Sequence, residues 1–246
     1  LKMDRLPESG EGAEKDSSGF ALPPLSIQSI DAERIHLGAA LAGHDALLSL
    51  GGGIFIDQRQ STARLRIVRL DRDMDVLELD GRIQDQNLSL RLKLNEEPGG
   101  ILHAVLGVNG TEGIALDVEG EGTTSDWPLT ATGRISDAAR LAGNATLNFT
   151  GNPAIALSLD VHPGPAWTGL THLPDSGIGI RADGAWTGQD LRLTNVDLHS
   201  EFATIGANAT WNNESRTLAA ALRGTFADLA WIMPATVATG PTEARA

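Results

Sequence analysis

The chain has 246 residues and a formal charge of −13, and it contains no cysteine and no tyrosine. The acidic excess argues against a nucleic-acid partner and against electrostatic attachment to an anionic membrane, since both need a basic surface. Without cysteine there is no disulfide, thiol catalysis or cysteine-ligated zinc. The length allows one large β domain or two smaller ones.

Residues 6–24 are rich in Gly, Ser, Glu and Pro and have almost nothing to bury. We therefore predict that residues 1–24 form a linker or an exposed loop. No apolar run reaches the roughly 18 residues needed to cross a bilayer, and no signal peptide is recognisable. The chain begins at Leu1 rather than at Met, which favours a segment of a longer protein whose anchor lies elsewhere.

Alternation of apolar and polar residues is the clearest pattern in the chain. Residues 87–95 read Asn-Leu-Ser-Leu-Arg-Leu-Lys-Leu-Asn, and the alternation recurs over residues 114–118 and 155–161. Strict period two places the four leucines on one face of a strand. Similar apolar runs recur every 8 to 15 residues with turn-forming residues between them. The chain is therefore predicted to be all-β.

Other segments predict a break, turns and helices. Residues 25–37 predict a strand that breaks near Ser29, and the three glycines 51–53 predict a turn or bulge. The acidic residues 71–75 predict a solvated hairpin tip. Residues 101–106 have apolar residues at i, i+1, i+4 and i+5, which predicts about two turns of helix. Further strands are predicted at 127–135, 141–149, 155–161, 191–198, 202–211 and 218–226, a short helix at 228–234, and a disordered tail at 237–246.

A weak internal repeat is visible at an offset of 64 residues, where 113–120 aligns with 177–184. We predict two related units, residues 101–165 and 166–233, because matching polar and apolar positions continue beyond the aligned strands. Both would belong to one repetitive β region that extends from residue 25 to residue 236.

Candidate metal and nucleotide sites are weak. Residues 71–75 have the acidic spacing that starts a calcium loop, but Val76 and Arg82 stand where Gly and Glu are required. Residues 177–182 fit a Gly-x-Gly-x-x-Ala fingerprint inside a strand pattern, where no helix could receive a pyrophosphate. The six histidines have no ligand spacing. We predict no cofactor, no metal and no catalytic residues, hence a non-enzymatic protein.

Several segments together carry a family resemblance. They are residues 27–38 (IQSIDAERIHLG), 47–53, 99–107 (GGILHAVLG), 114–122 (IALDVEGEG), Asp126-Trp127 and 228–234 (DLAWIMP). Over most of residues 20–236 the chain resembles a middle segment of the TamB family, the inner-membrane subunit of the translocation and assembly module, within the wider AsmA-like group. The likeness is a succession of strands and glycines rather than a catalytic signature. The N-terminal membrane helix and the conserved C-terminal domain of that family have no counterpart in the sequence.

The resemblance implies a long β-sheet curled into an elongated trough, with short helical segments, aliphatic side chains inside and polar ones outside. It also implies a periplasmic location, with a tether to the bacterial inner membrane outside this chain. The implied function is a hydrophobic groove for phospholipid transport to the outer membrane and for outer-membrane protein assembly. The implied partners are phospholipid acyl chains and, through regions outside this segment, an outer-membrane β-barrel protein.

The strand pattern and the resemblance together predict which residues line the groove. They are Leu88, Leu90, Leu92, Leu94, Ile114, Leu116, Val118, Ile155, Leu157, Leu159 and Val161. Alternation alone leaves open whether these side chains line an open groove or pack in a sealed core. A passive structural or adhesive β-solenoid or sandwich of a cell-surface protein is the alternative. A further alternative is a carbohydrate-active enzyme. It would need acidic pairs such as Asp117 and Glu119 beside a sugar-binding tryptophan, which could be Trp127, Trp167 or Trp186.

Overall fold

The computed structural model describes residues 25–39, 43–57, 60–108, 110–165, 177–188, 190–227 and 242–245. Its strands are β1 Leu25–Leu37, β2 Ala46–Ile56, β3 Gln60–Arg69, β4 Val76–Gln84, β5 Asn87–Glu96, β6 Ile114–Thr123, β7 Trp127–Ile135, β8 Ala139–Asn148, β9 Ala154–Pro163, β10 Ile178–Thr187, β11 Asp190–His199, β12 Ala203–Asn212, β13 Thr217–Phe226 and β14 Thr242–Arg245. The helix α1, Ile101–Leu106, lies between β5 and β6.

The fourteen strands of the described residues belong to one antiparallel sheet whose spatial order is the order of the sequence. Each strand pairs with the strands before and after it, and β1 and β14 lie at opposite edges. Within the described residues, contacts between elements are concentrated on neighbouring strands, so no second layer covers the sheet. The all-β prediction is confirmed, as a long curled sheet that forms an elongated trough.

The strand register extends one apolar face across the whole sheet. Leu92 pairs with Leu79 on one side and with Val118 on the other, and directly opposed residues of antiparallel strands project to the same face. One such row consists of Leu65, Leu79, Leu92, Val118, Ala131, Gly143, Leu159 and Ile180. We call this side of the sheet the apolar face.

The opposite side, the polar face, carries exposed ion pairs between neighbouring strands. Arg64 contacts Asp80 at 2.8 Å and Arg91 contacts Glu119 at 2.9 Å, with all four side chains more than half exposed. Exposed pairs of this kind contribute only about 0–1 kcal/mol each. Their main consequence is therefore a solvated outer surface rather than a large gain in stability.

The three glycines of β2 correct one prediction. Gly51, Gly52 and Gly53 lie inside a continuous strand and not in a turn, while the predicted irregularity is present in the pairing, because the register shift of β1 between Ile27 and Ile30 falls opposite Gly53. A Cβ at Gly52 would collide with the carbonyl oxygen of Arg64 in β3. On the same apolar face, a Cβ at Gly143 would lie 2.5 Å from the carbonyl oxygen of Ser158 in β9. Glycine is used where the neighbouring backbone approaches closely, which allows the sheet to curl toward its apolar face.

Most other elements agree with the sequence. The helix over 101–106 is confirmed, as are the strands predicted after residue 127. β1 has register irregularities between Ile27 and Ile30 and between Ala32 and Ile35, around the predicted break. Residues 1–24 and 228–234, with their predicted loop and helix, lie outside the described residues.

Two local predictions require correction. The turn at residues 71–75 joins β3 to β4 as expected, but it is not fully solvated, since Asp75 is only 7% exposed. The second correction concerns the tail, for which disorder is predicted. It contains the strand β14, whose backbone pairs with residues Arg223 to Phe226 of β13. β6 and β10 begin at Ile114 and Ile178, at the offset of the proposed repeat, and the repeat itself stays a prediction.

The close approach of β2 and β3 at Gly52 can be tested by substitution, with the adjacent Gly51 as the control. We expect Gly52→Ala to destabilise the fold by about 1–3 kcal/mol, because the added methyl group meets backbone that cannot move aside. Gly51→Ala, where no atom lies within 4 Å of the new Cβ, should be neutral or stabilising by less than about 1 kcal/mol. Urea unfolding of both variants measures the difference. Equal effects would contradict this explanation of the curl.

Candidate functional site

The eleven predicted lining residues lie together on the apolar face. Leu94 pairs with Leu116 and Leu92 with Val118, which joins the groups on β5 and β6. The β9 group is joined to them through β7 and β8, where alternate residues continue the same rows. The structure therefore brings the predicted residues onto one surface, and its occupation by lipid stays a prediction.

This surface is neither sealed nor freely solvated. Of the eleven residues, only Leu88 and Ile114 are buried, and the others are half-buried. No large side chain among the described residues is fully enclosed. Side chains contact their neighbours within one layer of sheet and present their remaining surface to the trough.

The two ends of the strands differ in their connections and in the burial of their side chains. The closed rim is the edge at which the strands are joined by residues 43–45, 70–75, 97–108, 136–138 and 200–202. The open rim is the opposite edge, where they are joined by residues 85–86, 124–126, 149–153 and 213–216. Apart from Leu88, every buried side chain of the described residues lies at the closed rim: Ala46, Arg69, Asp75, Glu96, His103, Ile114, Ser136, Ala138, Ala139 and Ala203.

A buried guanidinium fixes the first part of the closed rim. Arg69 is the last residue of β3, and its side chain is only 3% exposed. Its Nε and Nη2 donate to the carboxylate of Asp71 at 3.0 and 2.9 Å, and Nη1 donates to Asp75 at 3.4 Å. Nη2 also donates to His44 Nε2 at 2.8 Å, so that ring nitrogen accepts, because a guanidinium has no acceptor. The side chain of Arg69 thus binds both the connection 43–45 and the connection 70–75 to the end of β3.

These contacts shift the protonation equilibria of the pair. The hydrogen bond from Arg69 holds the pKa of the Asp71 carboxyl well below its usual range, and the backbone N–H of Leu47 adds to that effect. The same hydrogen bond raises the pKa of Arg69. Both groups are therefore charged in the folded protein at neutral pH.

A second buried group fixes the helix α1 over the closed rim. Glu96, the last residue of β5, accepts hydrogen bonds from the backbone N–H groups of Leu102 at 2.8 Å and His103 at 3.1 Å. It thereby satisfies donors that the helix N-terminus leaves free, since Gly100 supplies no side-chain cap. Its Oε1 also lies 3.0 Å from His103 Nδ1, while His103 Nε2 lies 3.1 Å from the carbonyl oxygen of Glu112. Strand, helix and the following loop are joined at this point.

The open rim is distinguished by exposed aromatic side chains, whereas the large apolar side chains exposed at the closed rim, Leu70, Met74, Val105 and Leu106, are aliphatic and lie on its connections. In its outermost row, Phe149 is 49%, Trp186 44%, Trp211 37% and Leu218 65% exposed. The row is continuous from β10 to β13, because Leu191 pairs with both Trp186 and Trp211, and Trp211 pairs with Leu218. The ring of Trp127 lies 6.0 Å from the ring of Phe149.

The alternative of a carbohydrate-active site meets a geometric obstacle. Asp117 and Glu119 project from the polar face, where Glu119 is paired with Arg91, whereas Trp127 and Trp186 project from the apolar face. These acids and tryptophans therefore do not face a common cleft. Trp167 lies outside the described residues. The described residues contain no group of His, Asp and Glu suited to a metal ion.

Comparison of the chain with protein-family models, with curated proteins and with solved structures finds no match. In the part of the chain that the structure describes, no helix is long and apolar enough to span a bilayer.

Sequence reasoning missed the closed-rim network, although a signal for it is present. Arg69 and Glu96 occupy positions that continue the apolar alternation, after Ile67 in β3 and after Leu94 in β5. A charged residue at a core-facing position requires a partner. Reading the strand ends in this way would have identified both residues as buried and paired.

The role of Glu96 predicts a large loss of stability on its removal. We expect Glu96→Ala to lower the free energy of unfolding by about 3 kcal/mol, since it leaves His103 and two helix N–H groups without their shared acceptor. The control Glu78→Ala removes an exposed partner of Arg66 and should cost less than about 1 kcal/mol. Urea unfolding at neutral pH compares them, and similar losses would contradict the proposed role of Glu96.

The lowered pKa of Asp71 predicts a pH-dependent contribution. Its ionised form favours the folded state at pH values above the ordinary aspartate pKa of about 3.9, and that contribution is lost as the pH falls through the lowered folded value. The difference in thermal midpoint between the native chain and Asp71→Asn should be full at pH 7 and shrink below about pH 4. Asp73→Asn, an exposed position in the same turn, should show little difference at any pH.

Proposed function

We propose that the chain is a non-enzymatic lipid-binding trough whose apolar face holds acyl chains. The observation that carries the proposal is a single-layer sheet with one continuous apolar face that no second layer covers within the described residues. A soluble sheet normally buries such a face against another element. Flexible hydrocarbon chains supply the missing layer without requiring a fixed partner surface.

The energy available from such a contact is large. Each methylene removed from water contributes about 0.8 kcal/mol, so about ten methylenes laid on the face contribute on the order of 8 kcal/mol before the ordering of the lipid is subtracted. The aliphatic character of the lining favours this use, because Leu, Ile and Val side chains offer no directional groups that would select one chain position. Such a surface suits lipids that move along it.

The polar face supports the same function. Its cross-strand ion pairs keep the outside of the sheet hydrated, and the formal charge of −13 disfavours adsorption of anionic headgroups there. Lipid is therefore directed to the inside of the trough. With the TamB-like succession of strands, the proposal extends to a periplasmic segment of an inner-membrane-anchored protein that conveys phospholipid toward the outer membrane and supports outer-membrane protein assembly.

A single-cysteine series on the cysteine-free chain tests the proposal. Cysteines replace Leu90, Leu116 and Leu157 on the apolar face, and each is labelled with a polarity-sensitive fluorophore. Titration with oleate, and separately with vesicles of a zwitterionic diacyl phospholipid, should shift the emission to the blue and saturate. The reason is that bound chains displace water from the apolar face.

The control positions are the adjacent residues Arg91, Asp117 and Ser158, which project to the polar face of the same strands. Their emission should stay unchanged through the titration. A passive scaffold is indicated instead if the leucine positions label only in denaturant, or if they label readily and give no lipid-dependent shift.

A further inference from the structure

The two rims of the trough are chemically different, and we infer that a bound phospholipid has one orientation across it. This inference rests on the proposed lipid-binding function. The acyl chains run along the strands with their methyl ends toward the closed rim, and the glycerol region and headgroup lie at the tryptophans of the open rim.

The closed rim is unsuited to a headgroup. Its inward-facing charges, Arg69 and Glu96, are already buried and paired within the protein. The helix α1 and the turn after β3 cover them, held by His103 and Asp75. A polar lipid group placed there would have to displace buried ionic contacts, which is strongly unfavourable. Buried apolar residues complete this rim, among them Ile114, which pairs with Glu96, and Ala139 at the start of β8.

The open rim has the composition of a boundary between water and hydrocarbon. The three tryptophans of the described residues, Trp127, Trp186 and Trp211, all lie within one or two residues of this edge and on the apolar face. Indole combines a large apolar surface with one N–H donor, and it concentrates where hydrocarbon meets polar lipid groups. Trp186 and Trp211 are exposed in this way, whereas the Nε1 of Trp127 is buried. The distribution of tryptophan therefore identifies the open rim as the edge of the sheet where the acyl chains of a bound lipid end and its polar groups begin.

The dimensions of the strands fit this orientation. Alternate residues of a strand are about 6.6 Å apart, so Leu157 lies about 13 Å and Val161 about 26 Å along the strand from the Trp186 row. One leaflet of a bilayer has about 15 Å of hydrocarbon depth. Chains that start at the open rim therefore end near Leu157 and Leu159, short of the closed rim.

Depth-dependent quenching tests the orientation in the full chain. Single cysteines at Leu191, in the open-rim row, and at Val161, near the closed rim, carry the same fluorophore. A phospholipid with a nitroxide on its headgroup should quench the Leu191 reporter at least threefold more than the Val161 reporter. A phospholipid with the nitroxide near the end of its acyl chain should quench a Leu159 reporter more than the Leu191 reporter.

The results separate this inference from the proposed function. Equal headgroup quenching at Leu191 and Val161, or stronger quenching at Val161, would overturn the orientation while leaving lipid binding intact. Absence of quenching at every position by both lipids would overturn the lipid-binding function itself, and the orientation with it.

Substitution of the tryptophans tests what sets the orientation. The double variant Trp186→Ala and Trp211→Ala should reduce the headgroup quenching ratio between Leu191 and Val161 to near one, while oleate still shifts a Leu157 reporter. Leu218→Ala, which truncates an aliphatic side chain in the same row, should leave the ratio above threefold. If the double variant kept the full ratio, the tryptophans would not be the orienting groups.

Discussion

Continuous antiparallel pairing in sequence order is the constraint on which the rest of this structure depends. Because each strand is aligned only by its two neighbours, the period-two pattern of one strand is passed to the next through the register. A slip of one residue anywhere would exchange the apolar and polar faces beyond that point. The long unbroken rows of apolar residues show that the register is kept from β2 to β9. A single surface, rather than a set of separate clusters, is the result.

The features that could be predicted from the sequence are those that depend on residues close together in the chain. The alternation of residues 88–94 fixes a strand and its inward face, and the apolar spacing of residues 101–106 fixes the helix. Gly52 could not be assigned in this way, because its role depends on the backbone of Arg64 in the next strand. The closed-rim network joins residues such as His44 and Arg69 across 25 positions, and no local pattern contains that information.

In a β-sandwich, one core contains both the buried polar contacts and the apolar side chains of the sheets. In this sheet the two are separated, with the buried polar contacts at the closed rim. At the closed rim, buried ionic and hydrogen-bonding side chains fix the connections and the helix, and they add contacts that the backbone pairing of the strands does not supply. In the middle and at the open rim, aliphatic and aromatic side chains remain accessible. The buried ionic contacts are therefore concentrated at the closed rim, and the accessible part of the apolar face lies away from them.

The sequential topology also governs how the protein tolerates damage. In a sheet where each strand contacts only its neighbours, the free energy approximates a sum of strand terms and nearest-neighbour terms, as in repeat proteins. Within the described residues, contacts are concentrated between strands that are adjacent in sequence, so folding can begin at any hairpin and spread in both directions. A defect in the centre, for example in β7, would then separate two flanks that each retain their order. Such a protein would unfold in stages, and insertion or loss of a hairpin would change the length of the trough without redesigning its cross-section.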